Sequence, residues 1–241
     1  MDNLITQLRT LKIPAMAEGL IRQRESPQTY AELGFEERLS LLAEEEQRNR
    51  ENNRISRLRR SARLRLNASP EELRYPSSRG LKAEYMRQLL TGEYLLQHKD
   101  ILITGPTGSG KSWLACALGE QACRQKYHVQ YWRVNRLLEA LGAGHADGSY
   151  LKQMKSLQKV ELLILDDLGL ENLTVRQSSD LLEVVEDRYE KGSTIVISQL
   201  PVDKWYGLME NPTTADALLD RLIHGAHRLN LQGESMRKNK E

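Results

Sequence analysis

The amino-acid sequence predicts an α/β fold, in which a parallel β-sheet has helices on both faces and follows a small all-helical module. Apolar segments of strand length alternate with helical segments through the later two-thirds of the chain. A glycine-rich loop joins the first of these strands to a helix, and a later apolar strand ends in two aspartates. Strands that alternate with helices and are apolar on both faces are typical of a parallel sheet between helical layers.

The size and composition suit one main core. The chain has 241 residues, of which 39% are hydrophobic and 28% charged, with a net charge of +2. No apolar run reaches about 18 residues, and the amino terminus lacks the apolar stretch of a signal peptide. We therefore expect a cytoplasmic protein without a membrane span. Cys116 and Cys123 lie too far apart on one predicted helix to form a disulfide, which favours buried thiols over a metal site.

Residues 1–68 are predicted to form the helical module. Leucines recur at helical spacing near the amino terminus, at Leu4, Leu8 and Leu11. Further along, an acidic stretch at residues 44–46 precedes a segment with eight arginines and one acid, Glu51. These arginines are Arg48, Arg50, Arg54, Arg57, Arg59, Arg60, Arg63 and Arg65.

Residues 69–80 are predicted to be a linker, because the surrounding stretch NASPEELRYPSSRG is rich in proline and serine. Residues 81–241 then form the α/β domain. Strands are predicted at 100–104, 128–134, 160–165, 193–198 and near 228–231, and helices at 111–126, 135–141 and 176–191.

The stretch ITGPTGSGKSW, residues 103–113, matches the pattern G-x-x-x-x-G-K-[ST] between a strand and a helix. Glycines allow successive backbone N–H groups to point inward, and the helix start adds partial positive charge, so a triphosphate can bind there. The lysine then reaches the β and γ phosphates, and the serine hydroxyl binds Mg²⁺. The alternative is an ordinary turn. The predicted nucleotide-binding residues are Gly105, Pro106, Thr107, Gly108, Ser109, Gly110, Lys111 and Ser112.

The stretch LLILDD, residues 162–167, predicts a buried strand that ends in two carboxylates. Burying two adjacent acids is costly without a cation, and magnesium is the cation expected here. Because the ends of parallel strands meet at one sheet edge, Asp166 can bind Mg²⁺ through water, beside the Ser112 hydroxyl, and Asp167 orients or deprotonates the attacking water. Both elements together predict an ATPase that uses ATP and Mg²⁺.

Blocks along almost the whole chain resemble the IstB family of insertion-sequence helper ATPases, relatives of the DnaC helicase loaders in the AAA+ group. The blocks are LKIPAMAEGL, RGLKAEYMRQLL, GPTGSGKSWLACALG, LLILDDLG, STIVISQLPVDKW and DRLIHGAHRLNLQGESMRK. The first and last blocks are the more specific, since many unrelated proteins share the phosphate loop. The resemblance implies a P-loop NTPase fold of the AAA+ type with a C-terminal lid that is absent or reduced.

The resemblance also implies roles for four residues. Gln199 stands at the sensor-one position, where Asn is more usual, and Asp167 stands where many AAA+ proteins have Glu, which favours slow turnover. Arg221 resembles the arginine finger that reaches the neighbouring subunit's ATP, although a solvated helix residue is the alternative. Arg237 resembles the sensor-two arginine.

The function implied by the resemblance is ATP-dependent assembly of a homo-oligomer on duplex DNA that recruits or stimulates an IstA-type transposase. The arginine segment and the lysines after the predicted second strand are candidate DNA contacts, with a solvated surface as the alternative for both. The named candidates are Arg54, Arg57, Arg59, Arg60, Arg63, Lys152 and Lys155.

Two other functions stay open. A DnaC-like helicase loader is the alternative within the family's relatives. A small-molecule phosphotransferase is disfavoured, because the extra basic residues lie ahead of the nucleotide domain rather than in a lid over the phosphates.

Overall fold

The computed structural model describes residues 2–75 and 79–233. The chain divides into two compact units, Met1–Arg57 and Leu58–Glu241. No helix in the described ranges combines the length and the apolar character needed to cross a bilayer.

The first unit is helical. It contains α1 (Asp2–Thr10), α2 (Pro14–Glu25) and most of α3 (Phe35–Ala62). Gly19 lies so close to α3 that a Cβ there would come within 2.7 Å of the Leu42 side chain. The Glu46 carboxylate accepts hydrogen bonds from the backbone N–H groups of Ala15 and Met16, which begin α2. Small residues and a buried acid therefore hold α2 against α3.

The second unit contains a five-stranded parallel sheet, so the predicted sheet is confirmed. Its strands are arranged in the order β2-β3-β4-β1-β5, and every neighbouring pair is parallel. Each strand begins and ends within three residues of its predicted bounds. The strands are β1 (Ile101–Thr104), β2 (Val129–Arg133), β3 (Leu162–Leu168), β4 (Ser193–Ser198) and β5 (His227–Asn230).

Helices cover both faces of this sheet, because alternate strand residues belong to two separate apolar clusters. Ile103 and Ile164 pack with α6 on one face, whereas Leu102, Leu163 and Val196 pack with α7 and α9 on the other. The helices of this unit are α4 (Ala83–Leu90), α5 (Glu93–Leu96), α6 (Lys111–Arg124), α7 (Val134–Asp147), α8 (Tyr150–Gln158), α9 (Val175–Arg188) and α10 (Pro212–Ile223).

The structure places the division of the chain earlier than the predicted boundary at residue 68. Leu58, Ala62, Ala68 and Leu73 are all buried in the core of the second unit. The end of α3 and much of the predicted linker 69–80 are therefore parts of the α/β unit, because their apolar side chains pack there. The proline and serine content of this stretch gives no information about which part of the core its apolar side chains cover.

The stretch GAGHADGSY, residues 142–150, contains three glycines yet is mostly helical. α7 continues to Asp147, and His145 Nε2 lies 2.8 Å from Asp180 Oδ1 on α9. The His145 ring also stacks on Tyr150, with ring centroids 3.8 Å apart. These contacts hold the glycine-rich stretch against α9 and turn the chain into α8, a helix that the sequence did not predict.

Candidate active site

The phosphate loop connects β1 to α6 and adopts backbone angles that require glycine. Gly105 has φ = 143°, and a Cβ there would lie 2.3 Å from the Leu231 carbonyl oxygen. Gly110 has φ = 90° and stands directly before the first residue of α6, Lys111. The loop is therefore a tight backbone cradle at the amino end of a fourteen-residue helix, which is a geometry suited to anions.

Lys111 is buried within this loop. Its Nζ donates hydrogen bonds to the carbonyl oxygens of Gly105, at 2.7 Å, and Pro106, at 2.8 Å. A buried ammonium group requires acceptors, and phosphate oxygens can take the place of these carbonyls. Lys111 thus holds a positive charge at the centre of the loop.

Asp166 and Asp167 lie near the carboxyl end of β3 and have different environments. Asp166 is completely buried, and its carboxylate accepts hydrogen bonds from the Tyr131 hydroxyl and, at 2.8 Å, from the Asp167 backbone N–H. Asp167 has φ = 66°, and the pairing of β3 with β4 shifts register between Leu165 and Leu168. This bulge brings the second carboxylate to the cavity wall, while the first stays in the core.

Two arginines lie near these acids. The Nη1 atom of Arg65 is 3.6 Å from Asp166 Oδ2 and 3.6 Å from Asp167 Oδ2. Arg133, at the end of β2, has its Nε 3.6 Å from Asp167 Oδ2. Burial raises the pKa of Asp167, and the charge of Asp166 raises it further, against the opposing effect of Arg65, Arg133 and Lys111. Asp167 is thereby a stronger base than an exposed aspartate.

Gln199 follows β4 and contacts the phosphate loop. The Thr107 hydroxyl donates a hydrogen bond of 2.7 Å to Gln199 Oε1. Because β4 pairs directly with β1, the residue after β4 lies beside the loop that follows β1. The predicted sensor residue and the predicted phosphate loop are therefore in direct contact.

These groups line one cavity of about 920 Å³, a volume within the range of small-molecule sites. Part of its wall comes from the segment predicted to be a linker. Arg79 in that segment is buried and donates a 2.9 Å hydrogen bond to the Ser109 carbonyl oxygen. The lining residues that the sequence did not single out are Leu66, Glu71, Glu72, Leu73, Arg74, Arg79 and Trp113. Arg65, which the sequence placed in the arginine segment, also lines the cavity.

The residues present fit a nucleotide with a divalent cation. The loop is a cradle that a Cβ at Gly105 would fill. Within the described ranges, the buried Ser109 hydroxyl and Arg79 Nε have no hydrogen-bond partner in the protein, so both are available to a polar ligand. Ser112 and Asp166 supply oxygen ligands of the kind that Mg²⁺ prefers, with phosphates and water completing its shell.

Arg221 lies away from this cavity. It donates to the Ala217 carbonyl at 2.8 Å and pairs with Glu186. It lines a smaller cavity with Asp100 and Thr194, which stand at the amino ends of β1 and β4. The phosphate loop follows the carboxyl end of β1, so Arg221 and the loop are at opposite edges of the sheet. Arg237 lies outside the described residues.

The candidate DNA contacts are exposed and fall on three segments. Arg54 and Arg57 lie on α3 in the first unit, and Lys152 and Lys155 lie on α8. Arg59, Arg60 and Arg63 lie at the end of α3 and just after it in the second unit. Arg59 is paired with Glu120 of α6, with Nε 3.0 Å from Oε2, so part of its charge is already neutralised.

The sequence matches the family described as IstB-like ATP binding protein over residues 6–241. An insertion sequence ATP-binding protein of Sinorhizobium fredii, y4pL, is 45% identical over 98% of this chain and 96% of its own length.

Among solved structures, the DnaC helicase loader has a TM-score of 0.57 at 18% identity, covering 69% of this chain and 97% of its own. DnaA from Aquifex aeolicus, bound to AMPPCP, has a TM-score of 0.60 at 20% identity, covering 73% of this chain and 53% of its own. These likenesses confirm the predicted AAA+ type of P-loop fold.

Proposed function

The chain belongs to the family of IstB-like ATP binding proteins, and we propose that it is an ATP-regulated DNA-binding helper of transposition. In this proposal ATP drives a homo-oligomer to assemble on duplex DNA, and the assembly recruits or stimulates an IstA-type transposase. The observation that supports ATP binding is the single cavity lined by Lys111 and Asp167 together with the hydrogen-bonded pair Thr107 and Gln199.

Binding of the nucleotide is assigned to the phosphate loop. Backbone N–H groups of residues 107–110 and the start of α6 favour the phosphates, and Lys111 exchanges its loop carbonyls for phosphate oxygens. Ser112 and Asp166 would hold Mg²⁺, which supplies charge neutralisation at the β and γ phosphates.

Hydrolysis is assigned to Asp167 and Gln199. Asp167 lies at the cavity wall with a raised pKa, so it can orient the attacking water and accept its proton. The Thr107 hydroxyl fixes the Gln199 side-chain oxygen, which leaves the Gln199 amide N–H groups to donate toward the water or the phosphate. Aspartate reaches one methylene less far than glutamate, so we expect slow turnover.

The position of Arg221 supports action between subunits. An arginine at the amino edge of the sheet is separated from its own phosphate loop by the length of the strands, roughly 13 Å for four residues. It can serve a nucleotide only in a neighbouring copy, as an arginine finger does. Such a residue contributes about 10³ to 10⁵ in rate, which would make hydrolysis depend on assembly.

DNA contact is assigned to the exposed basic residues named above, which are the arginines of α3 and of the segment just after it and the lysines of α8. Phosphate contacts predict that log K falls with log salt by about 0.9 for each phosphate neutralised on duplex DNA. Because Arg59 already pairs with Glu120, part of its charge is already neutralised, and we expect it to contribute less than Arg63.

The test measures assembly on DNA. The protein is mixed with a labelled duplex and either a non-hydrolysable ATP analogue or ADP, and the mass of the complex is followed by analytical ultracentrifugation. We expect large complexes with the analogue and few with ADP, and Arg221→Ala should keep nucleotide binding but lose DNA-dependent hydrolysis. Arg228→Ala, an exposed arginine on β5, is the control and should behave as the unaltered protein.

Equal complexes with both nucleotides, or unchanged hydrolysis in Arg221→Ala, would contradict the proposal. The partner decides between the two related functions, since the DnaC helicase loader shares the fold. Stimulation of a transposase encoded beside this chain supports the transposition helper, whereas stable binding to a replicative helicase supports the loader.

A further inference from the structure

Arg65 is a cavity-lining arginine that the proposed ATPase does not yet use. It follows the end of α3 by three residues and lies beside the two acids at the end of β3. It shares the wall of the cavity with Lys111 and Ser112. We propose that Arg65 recognises the terminal phosphate of ATP in its own subunit and so distinguishes ATP from ADP, a role that rests on the proposed nucleotide function.

The pairing of Arg65 with the acids is loose. Its Nη1 is 3.6 Å from one oxygen of each carboxylate, which is beyond hydrogen-bond distance and is not the two-pronged arrangement of a strong arginine–carboxylate pair. Asp166 already has a direct hydrogen bond from the Tyr131 hydroxyl. The guanidinium can therefore turn to a phosphate without leaving Asp166 unsatisfied.

Two other cations of the cavity wall, Lys111 and Arg79, are held differently. Lys111 donates to two loop carbonyls, and buried Arg79 donates to the carbonyls of Ser109 and Arg74. Arg65 instead faces the carboxylates of Asp166 and Asp167 and the Tyr131 hydroxyl, and 34% of its side chain is exposed. A planar guanidinium with several parallel donors suits the γ phosphate of ATP, a group with three terminal oxygens that ADP lacks.

The backbone around Arg65 is fixed. Arg63 has φ = 51°, which ends the helix and redirects the chain toward the cavity. Leu64 packs so closely on α6 that a Cβ on Gly119 would lie 3.0 Å from its side chain. Ala68 is buried in the core. The side chain is thus presented from an anchored segment, as a specific phosphate contact requires and a solvated arginine does not.

The test is the ratio of two affinities, measured by calorimetry with Mg²⁺ present. For each protein, the dissociation constant for ADP is divided by that for a non-hydrolysable ATP analogue. Arg65→Gln should lower this ratio about tenfold or more by weakening analogue binding, because a charge-assisted contact to the terminal phosphate is lost. Arg65→Lys keeps the charge without the planar fork and should give an intermediate ratio.

The control is Arg136→Gln, which alters an arginine that is 73% exposed and paired with Glu139 on α7. Its ratio should match that of the unaltered protein. An unchanged ratio in Arg65→Gln, with a lower hydrolysis rate, would mean that Arg65 only positions the acids, and the proposal would be overturned. If Arg65→Gln does not fold, Arg65→Lys provides the test instead, and an unchanged ratio in that variant would also overturn the proposal.

Failure of the proposed function gives a different result. If the unaltered protein bound neither the analogue nor ADP, the nucleotide site itself would be refuted, and the role of Arg65 with it. If the unaltered protein prefers the analogue and every Arg65 variant keeps that preference, the nucleotide site stands and the role of Arg65 alone is refuted.

Discussion

The two edges of the sheet both hold an aspartate and an arginine out of full contact with water, yet they differ in how the charges are satisfied. At the carboxyl edge, Arg65 approaches Asp166 and Asp167 no closer than 3.6 Å. At the amino edge, Arg188 donates to the carbonyls of Leu157, Val160 and Ser193 at distances of 2.5 to 2.8 Å. The first arrangement is loose, and the second is nearly saturated.

This difference indicates that the carboxyl edge, rather than the amino edge, is suited to binding a ligand. An arginine whose N–H groups already donate to three backbone carbonyls has little capacity to bind a new partner. A loosely paired arginine beside a carboxylate on a strained backbone, here Asp167 with φ = 66°, can rearrange when a ligand arrives. The cavity volumes agree, at about 920 Å³ for the carboxyl edge and about 330 Å³ for the amino edge.

The largest expected effect is at the carboxyl edge, with Asp167→Asn. The amide keeps the shape of the side chain but cannot accept a proton from water, so the hydrolysis rate should fall by about 10² to 10⁴. Nucleotide affinity should change little, because the phosphate loop and Lys111 are untouched. Single-turnover hydrolysis and calorimetry measure the two quantities separately.

The matched control is Asp216→Asn, an exposed aspartate on α10 that should leave both quantities unchanged. Normal hydrolysis in Asp167→Asn would show that the loosely paired edge has no chemical role, and the contrast between the two edges would fail.

The next effect is at the amino edge, with Arg188→Leu. The substitution leaves three buried carbonyls without their donor, and each such group costs about 1 to 3 kcal/mol. We expect the free energy of unfolding to fall by about 3 to 5 kcal/mol, measured by urea denaturation. Arg136→Leu removes an exposed arginine and should change stability by less than about 0.5 kcal/mol. Similar losses in both variants would mean that Arg188 has no special structural role.

The sequence predicted the ATP-facing elements well, because their signals are local. The five strands and the phosphate loop follow from short patterns of apolar residues and glycine, and the sheet order places their ends together. The part of the cavity wall formed by residues 65–74 and Arg79 was not predicted. Its contribution depends on Leu73 and Ala68 packing against a distant core, and nothing in the local pattern of prolines and serines indicates such a contact.

The site residues show the same limit. Asp166 and Asp167 were singled out as a pair, but their different burial arises from a register shift between β3 and β4, which depends on the neighbouring strand. Arg133 stands at the end of a predicted strand, and that position was a usable signal for a residue at the carboxyl edge. The contacts of Arg188 were beyond prediction, since they join carbonyls up to 31 residues away.

The smallest expected effect tests the amino edge through pH. Asp100 is mostly buried and accepts a 2.6 Å hydrogen bond from the Thr194 backbone N–H, and burial raises its pKa from 3.8 to about 7 despite the opposing effect of that bond and of Arg188. Between these two pH values the folded protein holds a proton that the unfolded chain has lost, so stability falls as pH rises from about 4 to 7.

Asp100→Asn keeps the side-chain oxygen that accepts the hydrogen bond and removes the titration. The variant should therefore gain stability relative to the unaltered protein as pH rises, by about 2 to 3 kcal/mol between pH 5 and 8. Urea unfolding of both proteins at pH 5 and pH 8 measures this difference. If the stability of both proteins depended on pH in the same way, folding would not disfavour the charged form of Asp100. The Asp100 carboxylate would then be as well stabilised by its neighbours as the Arg188 guanidinium is.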